Sequence, residues 1–227
     1  MLYTCLHSRV VHAGILAMPE VLVCRLICKN PTHLPKMVMS PAIAVFDGVF
    51  SAAACSAAHN AAAARGLGHA LYSRHDEPRS PLEHVMESFL SEMADDAPFV
   101  EYWSRQEWRH IECHADVDEK LAADGGAFRW PDHGHVLYLD VGKQVAGPTC
   151  LWEACCDDPF GGALTVVPAV GGRVLRFDGR LQHAVPCPSD VWLSPFTKSL
   201  SGSAEELRRS VLLFSTWNPI PIPIREP

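Results

Sequence analysis

Several large classes of protein leave marks that this chain lacks. Positive charge is scarce: 19 Lys and Arg stand against 26 Asp and Glu, for a formal net charge of −7 over 227 residues. Binding a phosphate backbone needs a concentrated positive surface, so nucleic acid is not expected as the main partner. A bilayer-spanning run is missing as well, because the apolar stretch from Val10 to Cys28 is broken by His12, Pro19, Glu20 and Arg25. No membrane partner is expected. The nine cysteines contain no CxxC pair, and an odd number cannot all pair with one another. Neither a zinc ribbon nor a disulfide framework is indicated, and a reducing compartment is the simpler reading. A catalytic setting for a nucleophilic Ser, Cys or Lys is also absent.

Acidic residues are nearly missing from residues 1–39, which carry Arg9, Arg25, Lys29 and Lys36 against Glu20 alone. This basic extension reads either as an organellar targeting peptide or as a poorly ordered leader. An intracellular, cytoplasmic protein is the first expectation, and an organellar one follows if the leader is a targeting signal. The folded domain is expected over residues 40–227, with helical support over 50–104 and a barrel over 105–218.

Local signals place the elements. Residues 43–46 read as a short strand, after which Ser51 caps an alanine-rich helix that Gly66 stops. Ser80-Pro81-Leu82-Glu83 combines an N-cap with proline at the first helical position. Leu82, Val85, Met86, Phe89, Leu90 and Met93 follow on one face. Beyond residue 105 the pattern changes to short β-like runs at 107–114, 135–140, 149–153, 163–168, 173–177, 181–185 and 210–217, separated by glycine and proline turns. Consecutive short strands without intervening helices predict a mainly β fold with flanking α-helices, closed as an antiparallel barrel or jelly roll.

The stretch Glu112-Cys-His-Ala-Asp116 carries chemistry at the end of one such strand. Alternate residues of a strand share a face, so His114 and Asp116 can both approach one metal ion. His183, in the late run Gln182-His-Ala-Val185, is the natural third ligand. Two imidazoles and one carboxylate on one face of an octahedral ion leave adjacent positions open, the pattern expected of non-heme Fe(II). With twelve histidines in the chain, accidental pairs are expected too. His110 reads as a strand neighbour. His133-Gly134-His135 could hold zinc, but Pro131-Asp132 before it favours a surface turn. Asp118 and Glu119 read as a helix start, and Cys113, Cys150, Cys155 and Cys156 as packing or surface thiols.

Taken in order, His114-x-Asp116, Val136-Leu-Tyr-Leu-Asp140, Gly161-Gly-Ala-Leu-Thr-Val-Val-Pro168, Gly172-Arg-Val-Leu-Arg-Phe177, Gln182-His-Ala-Val185 and Arg208-Arg-Ser-Val-Leu-Leu-Phe214 resemble the 2-oxoglutarate and Fe(II)-dependent dioxygenase superfamily, in its prolyl 4-hydroxylase-like branch. The resemblance covers residues 105–217. It implies a double-stranded β-helix, a cupin-like jelly-roll barrel, with His114, Asp116 and His183 as iron ligands. It also implies 2-oxoglutarate as cosubstrate, O2, and ascorbate as an auxiliary reductant. The implied reaction hydroxylates a C–H bond of a protein residue such as proline, or of a small molecule, with release of succinate and CO2.

Tyr138 matches a tyrosine that touches the cosubstrate, and Arg208 or Arg209, with Ser210, matches the basic residue that pairs with its far carboxylate. Arg208-x-Ser210 fits the RxS spacing, and alternation would send Arg208, Ser210, Leu212 and Phe214 to one face, which favours Arg208. Trp152, Glu153, Arg176 and Trp192 are candidates for the substrate entrance, as is Trp217, although barrel packing explains a tryptophan equally well. Residues 186–207 read as an inserted loop that either covers the substrate side or merely connects. A cupin-like metal enzyme without 2-oxoglutarate and a silent binding module are the other readings. The oligomeric state is left open.

Overall fold

The computed structural model describes residues 42–126, 128–142, 147–153, 162–186, 208–219 and 221. The basic extension, Trp192, Cys155, Cys156 and nearly all of the 186–207 insertion lie outside the described residues.

Two helices form where local chemistry asks for them. In α1 (Ala52–Arg65), Ser51 accepts a hydrogen bond from the Ala54 amide, and Gly66 ends the helix at φ 85°, a conformation that costs glycine little. Its inward residues Cys55, Ala58 and Ala62 are small, which lets the helix axis approach a sheet closely. In α2 (Pro81–Glu92), Ser80 accepts from the Glu83 amide, and Leu82, Met86, Phe89 and Leu90 recur at helical spacing as a buried stripe. A short α3 (Glu119–Ala123) starts at Asp118, as its acidic start suggests. Asp118 itself is buried and held by Arg129.

Ten strands complete the described fold: β1 (Ile43–Phe46), β2 (Ala70–Ser73), β3 (Phe99–Glu107), β4 (Ile111–His114), β5 (His133–Val141), β6 (Thr149–Trp152), β7 (Leu164–Val167), β8 (Val174–Asp178), β9 (Gln182–Val185) and β10 (Arg208–Trp217). They form a six-stranded sheet in the order β1-β8-β5-β10-β3-β2 and a four-stranded sheet in the order β4-β9-β6-β7. One core lies between the helices and the large sheet, with Met86, Leu90, Leu137, Leu212 and Phe214 at its centre. A second lies between the two sheets, built from Val136, Tyr138, Leu151, Val167, Leu175, Phe177 and Val211. The large sheet is therefore buried on both faces in its middle.

Mainly β with flanking helices is what the structure shows, but the closed barrel is not. The strands divide into two open sheets, and no ladder joins them among the described residues; they meet through side chains as a sandwich. Alternation of apolar and polar residues tells that a strand has an inward face. It does not tell whether edge strands pair, and barrel and sandwich share that pattern. The strand expected at 107–114 is two strands with a break at Trp108–His110, and β2 and most of β3 went unread.

The turn expected at Pro131–Gly134 gives way to β5 already at His133, and His135, in the expected strand, is only 2% exposed. Its ring stacks on Phe214 at 4.4 Å and meets the edge of Phe89, while Nδ1 lies 3.2 Å from the Phe214 carbonyl. Burial pushes its pKa down to about 3, with the nearby Arg176 and His133 adding to the effect and Asp95 opposing it. An unfolded histidine titrates near 6.5. Between those values the unfolded chain binds the extra proton, so this stabilisation is complete above about pH 6.5 and is lost as pH falls toward 3, at up to about 1.4 kcal/mol per unit. His135→Phe is expected to flatten the dependence of urea unfolding free energy on pH between 6.5 and 4. An unchanged slope would mean that other groups carry it.

Candidate metal centre

The small sheet brings the HxD segment to the distant histidine. His114, the last residue of β4, lies directly opposite His183 of β9, and Asp116 follows two residues later. His114 Nε2 is 3.6 Å and His183 Nε2 3.8 Å from the same Asp116 oxygen, and one donor atom from each residue lies within 4.8 Å of the others. Among the described residues this is the one such group of metal-ligating side chains. Both histidines turn Nδ1 toward a backbone carbonyl, Glu112 at 2.8 Å and Leu181 at 3.2 Å. Donation there leaves Nε2 with its lone pair toward Asp116, the tautomer a metal needs. Two imidazoles and a carboxylate fit a divalent iron with open positions.

Electrostatics favour the ligating forms of Asp116 and His183. Burial pushes the Asp116 pKa up, but the His114 interaction and the nearby His183 outweigh it and hold the carboxyl below its ordinary value. Burial lowers the His183 pKa and so favours its neutral form. His114, more exposed, is raised by the Asp116 carboxylate 3.6 Å away, so a metal binding there has to displace a proton.

The inter-sheet core carries a second polar group. Arg209 is 3% exposed; its Nε donates to the Gly147 carbonyl at 3.1 Å and its Nη2 to Thr149 Oγ1 at 3.0 Å. Its guanidinium carbon lies 5.2 Å from the Tyr138 ring centre, and the Tyr138 hydroxyl is 2.7 Å from the same Thr149 oxygen. No carboxylate pairs with Arg209 among the described residues. Burial lowers its pKa, which is the mark of a cation short of compensation. Strand pairing ties this group to the metal centre: His183 lies opposite Leu151 on β6, and Thr149 is two residues along on the same face. Gly147 must be glycine, since a Cβ there would run into the Trp108 indole.

Not every predicted residue joins this site. Arg208 faces the helix side and pairs with Asp140 at 2.6 Å. Ser210, fully buried, contacts His59 and Gln106 and so is also away from the inter-sheet core. The alternation of Arg208, Ser210, Leu212 and Phe214 is real, but their shared face packs on the helices, and Arg209 faces inward with Val211. Trp152 pairs with Gln182, one residue from His183 and therefore on the outer face of the small sheet. Glu153 is exposed beyond it.

Arg176 is misplaced by the sequence reading too. It pairs with Asp95 at 3.0 Å and, with His133, lines a separate cavity of about 560 Å3. Trp217 is buried, as packing requires. Thr149 and Gly147 went unread, having no motif; only their place one strand over from His183 marks them. Arg105, on β3, was missed because β3 itself was.

No protein-family model and no curated protein matches the sequence. Among solved structures the chain is similar to a Pseudomonas putida prolyl-4-hydroxylase, with a TM-score of 0.49, 13% identity, and coverage of 77% of this chain and 85% of that one. It is similar also to the viral collagen prolyl hydroxylase of Paramecium bursaria Chlorella virus-1, with a TM-score of 0.49, 13% identity, and coverage of 84% and 97%. A third is HygX from Streptomyces hygroscopicus with iron bound, with a TM-score of 0.47, 13% identity, and coverage of 77% and 81%. Residue roles rest on the geometry above. Among the described residues, no helix is long and apolar enough to cross a membrane.

Proposed function

We propose that the protein is an Fe(II)- and 2-oxoglutarate-dependent dioxygenase that hydroxylates a C–H bond, with His114, Asp116 and His183 holding the iron. The observation that carries the cosubstrate is Arg209, a guanidinium buried between the sheets without an acid partner among the described residues. A buried charge is costly unless it is paired, and a guanidinium forks onto a carboxylate with two parallel hydrogen bonds. A dicarboxylate with one end at the metal and the other at Arg209 meets both demands.

Iron held by His114, Asp116 and His183 would supply the dioxygen chemistry that couples decarboxylation of 2-oxoglutarate to hydroxylation of the substrate. The chain's own part is placement. Glu112 and Leu181 carbonyls fix the two imidazole planes; Thr149 and Gly147 aim Arg209; Tyr138 presents its hydroxyl beside the same guanidinium. Leu151, Val211 and Phe177, whose ring lies 5.0 Å from His183, wall the path with apolar surface and exclude water. The substrate is a protein residue, such as proline, or a small molecule, and ascorbate serves to keep the iron divalent.

Incubation with Fe(II), 2-oxoglutarate and 18O2 in a host extract is the test. Succinate with one labelled oxygen and a hydroxylated product carrying the other are expected. Unlabelled succinate, or a labelled product formed without 2-oxoglutarate, would overturn the assignment.

A further inference from the structure

Among the described residues, every arginine guanidinium but one pairs, closely or loosely, with an acid, a carbonyl or a hydroxyl. The exception is Arg105, an exposed residue whose guanidinium forms no hydrogen bond and no ion pair among the described residues. Exposure is enough to leave it unpaired; its place is what sets it apart. Along β3, Val100, Tyr102 and Ser104 are buried on the helix side, so Glu101, Trp103 and Arg105 share the opposite face. Arg105 lies across from Val211, and Arg209 is two residues from Val211 on that same inward face. The inter-sheet core includes β5, β8 and β10 but no residue of β3 or β2. Arg105 therefore stands at the open flank of the sandwich, just outside the buried guanidinium.

Its charge reaches the reacting region. Burial and the neighbouring Arg109 lower its pKa, and Asp116 partly offsets them. His114 and Arg209 both feel Arg105 as a repelling charge. Asp116 is not available as its partner, since that carboxylate is turned to the two histidines. Arg109 is engaged with Glu107 at 2.8 Å. Arg209, buried without an acid among the described residues, calls for one anion, and Arg105, exposed beside it on the same face, is free to take a second. The cosubstrate has one carboxylate for the metal and one for Arg209, which leaves Arg105 for another molecule.

We infer that Arg105 forms a substrate subsite at the mouth of the metal centre that takes a carboxylate of the substrate. The wall beside it is flat: Trp103 stacks on His69 at 4.7 Å, and His69 is fixed by Glu101 at 3.0 Å. An acid-bearing substrate would lay its apolar part on this stack and its carboxylate on the Arg105 fork. This inference rests on the dioxygenase reading. The carboxylate has two sources, the free α-carboxyl of a small acid or an Asp or Glu side chain of a peptide.

The test uses the full chain loaded with Mn(II) and 2-oxoglutarate, titrated with two matched probe sets and read by saturation-transfer NMR and calorimetry. One set pairs N-acetyl amino acids with their amides; the other pairs amidated peptides containing Asp or Glu with those containing Asn or Gln. In one set the acids are expected to bind at least about tenfold more tightly than their neutral partners, and that set names the source. Arg105→Gln is expected to abolish the preference, Arg105→Lys to keep part of it, and Arg109→Gln to keep all of it. The dissociation constant of 2-oxoglutarate should stay within about twofold in Arg105→Gln, since Arg209 and not Arg105 sits in the inter-sheet core.

The inference is overturned if neither acid set is preferred, or if the preference survives Arg105→Gln. A rise of tenfold or more in the 2-oxoglutarate constant of Arg105→Gln would also overturn it, by assigning Arg105 to the cosubstrate. A parent protein that binds Mn(II) but not 2-oxoglutarate would sink the dioxygenase reading itself, and this subsite with it.

Discussion

Replacing Asp116 with alanine is expected to weaken Fe(II) or Mn(II) binding by more than about a hundredfold and to end 2-oxoglutarate turnover. Asp116 is the only anion of the triad, and its oxygen is the atom both imidazoles face, at 3.6 and 3.8 Å. Without it, two histidine rings with centres 4.4 Å apart are left to hold a divalent ion alone. His114→Ala and His183→Ala are expected to lose turnover in the same way. The fold should survive, because Asp116 lies in the loop after β4 and its described interactions are with the site. The unfolding temperature of the metal-free variant is expected within about 3 °C of the parent. Metal titration followed by calorimetry, with circular dichroism as the fold control, reads both quantities. Undiminished metal affinity would remove Asp116 from the centre.

The second large effect belongs to Arg209. Arg209→Ala is expected to raise the 2-oxoglutarate dissociation constant by about a hundredfold, the equivalent of about 3 kcal/mol for a buried charge-assisted pair. Arg208→Ala should change it less than about threefold, because Arg208 lies on the helix side against Asp140. A companion result separates function from packing. Arg209 is buried without an acid partner among the described residues, so the similarly shaped Arg209→Met should cost the apo protein little stability, or even raise it, while still losing the cosubstrate. If Arg208→Ala gave the larger rise, the pairing of β10 with its neighbours would have to be redrawn.

How far these residues could be read from sequence follows from what strand periodicity encodes. The metal triad was legible because HxD at a strand end and a histidine in a later strand need only a period of two and an antiparallel partner. His114 and His183 do lie opposite each other. The arginine was not legible in the same way. Alternation correctly grouped Arg208, Ser210, Leu212 and Phe214, but β10 sits in the middle of a sheet covered on both faces, and nearly all its residues are buried. With apolar residues on both sides, no contrast marks the side that faces the metal. Register shifts near Ser210 on both flanks of the strand blur it further.

Arg176 failed for a related reason, since its partner Asp95 is remote in sequence and the pair lies on the far side of the same sheet. Helices α1 and α2 were read almost to the residue, because caps and apolar stripes are local. The barrel was not, because closure depends on which edges pair. Strand β3 escaped because Glu101, Arg105 and Glu107 give its open flank a polar face, which resembles a connecting segment.

The most direct measurement is an anaerobic titration of the Fe(II)-loaded protein with 2-oxoglutarate, followed by visible absorbance. Chelation of one iron by the keto acid should produce a charge-transfer band that saturates at one equivalent, appears in Arg208→Ala at parent concentrations, requires about a hundredfold more 2-oxoglutarate in Arg209→Ala, and is absent from Asp116→Ala. A protein that binds iron at His114, Asp116 and His183 but develops no such band at any 2-oxoglutarate concentration would contradict the account.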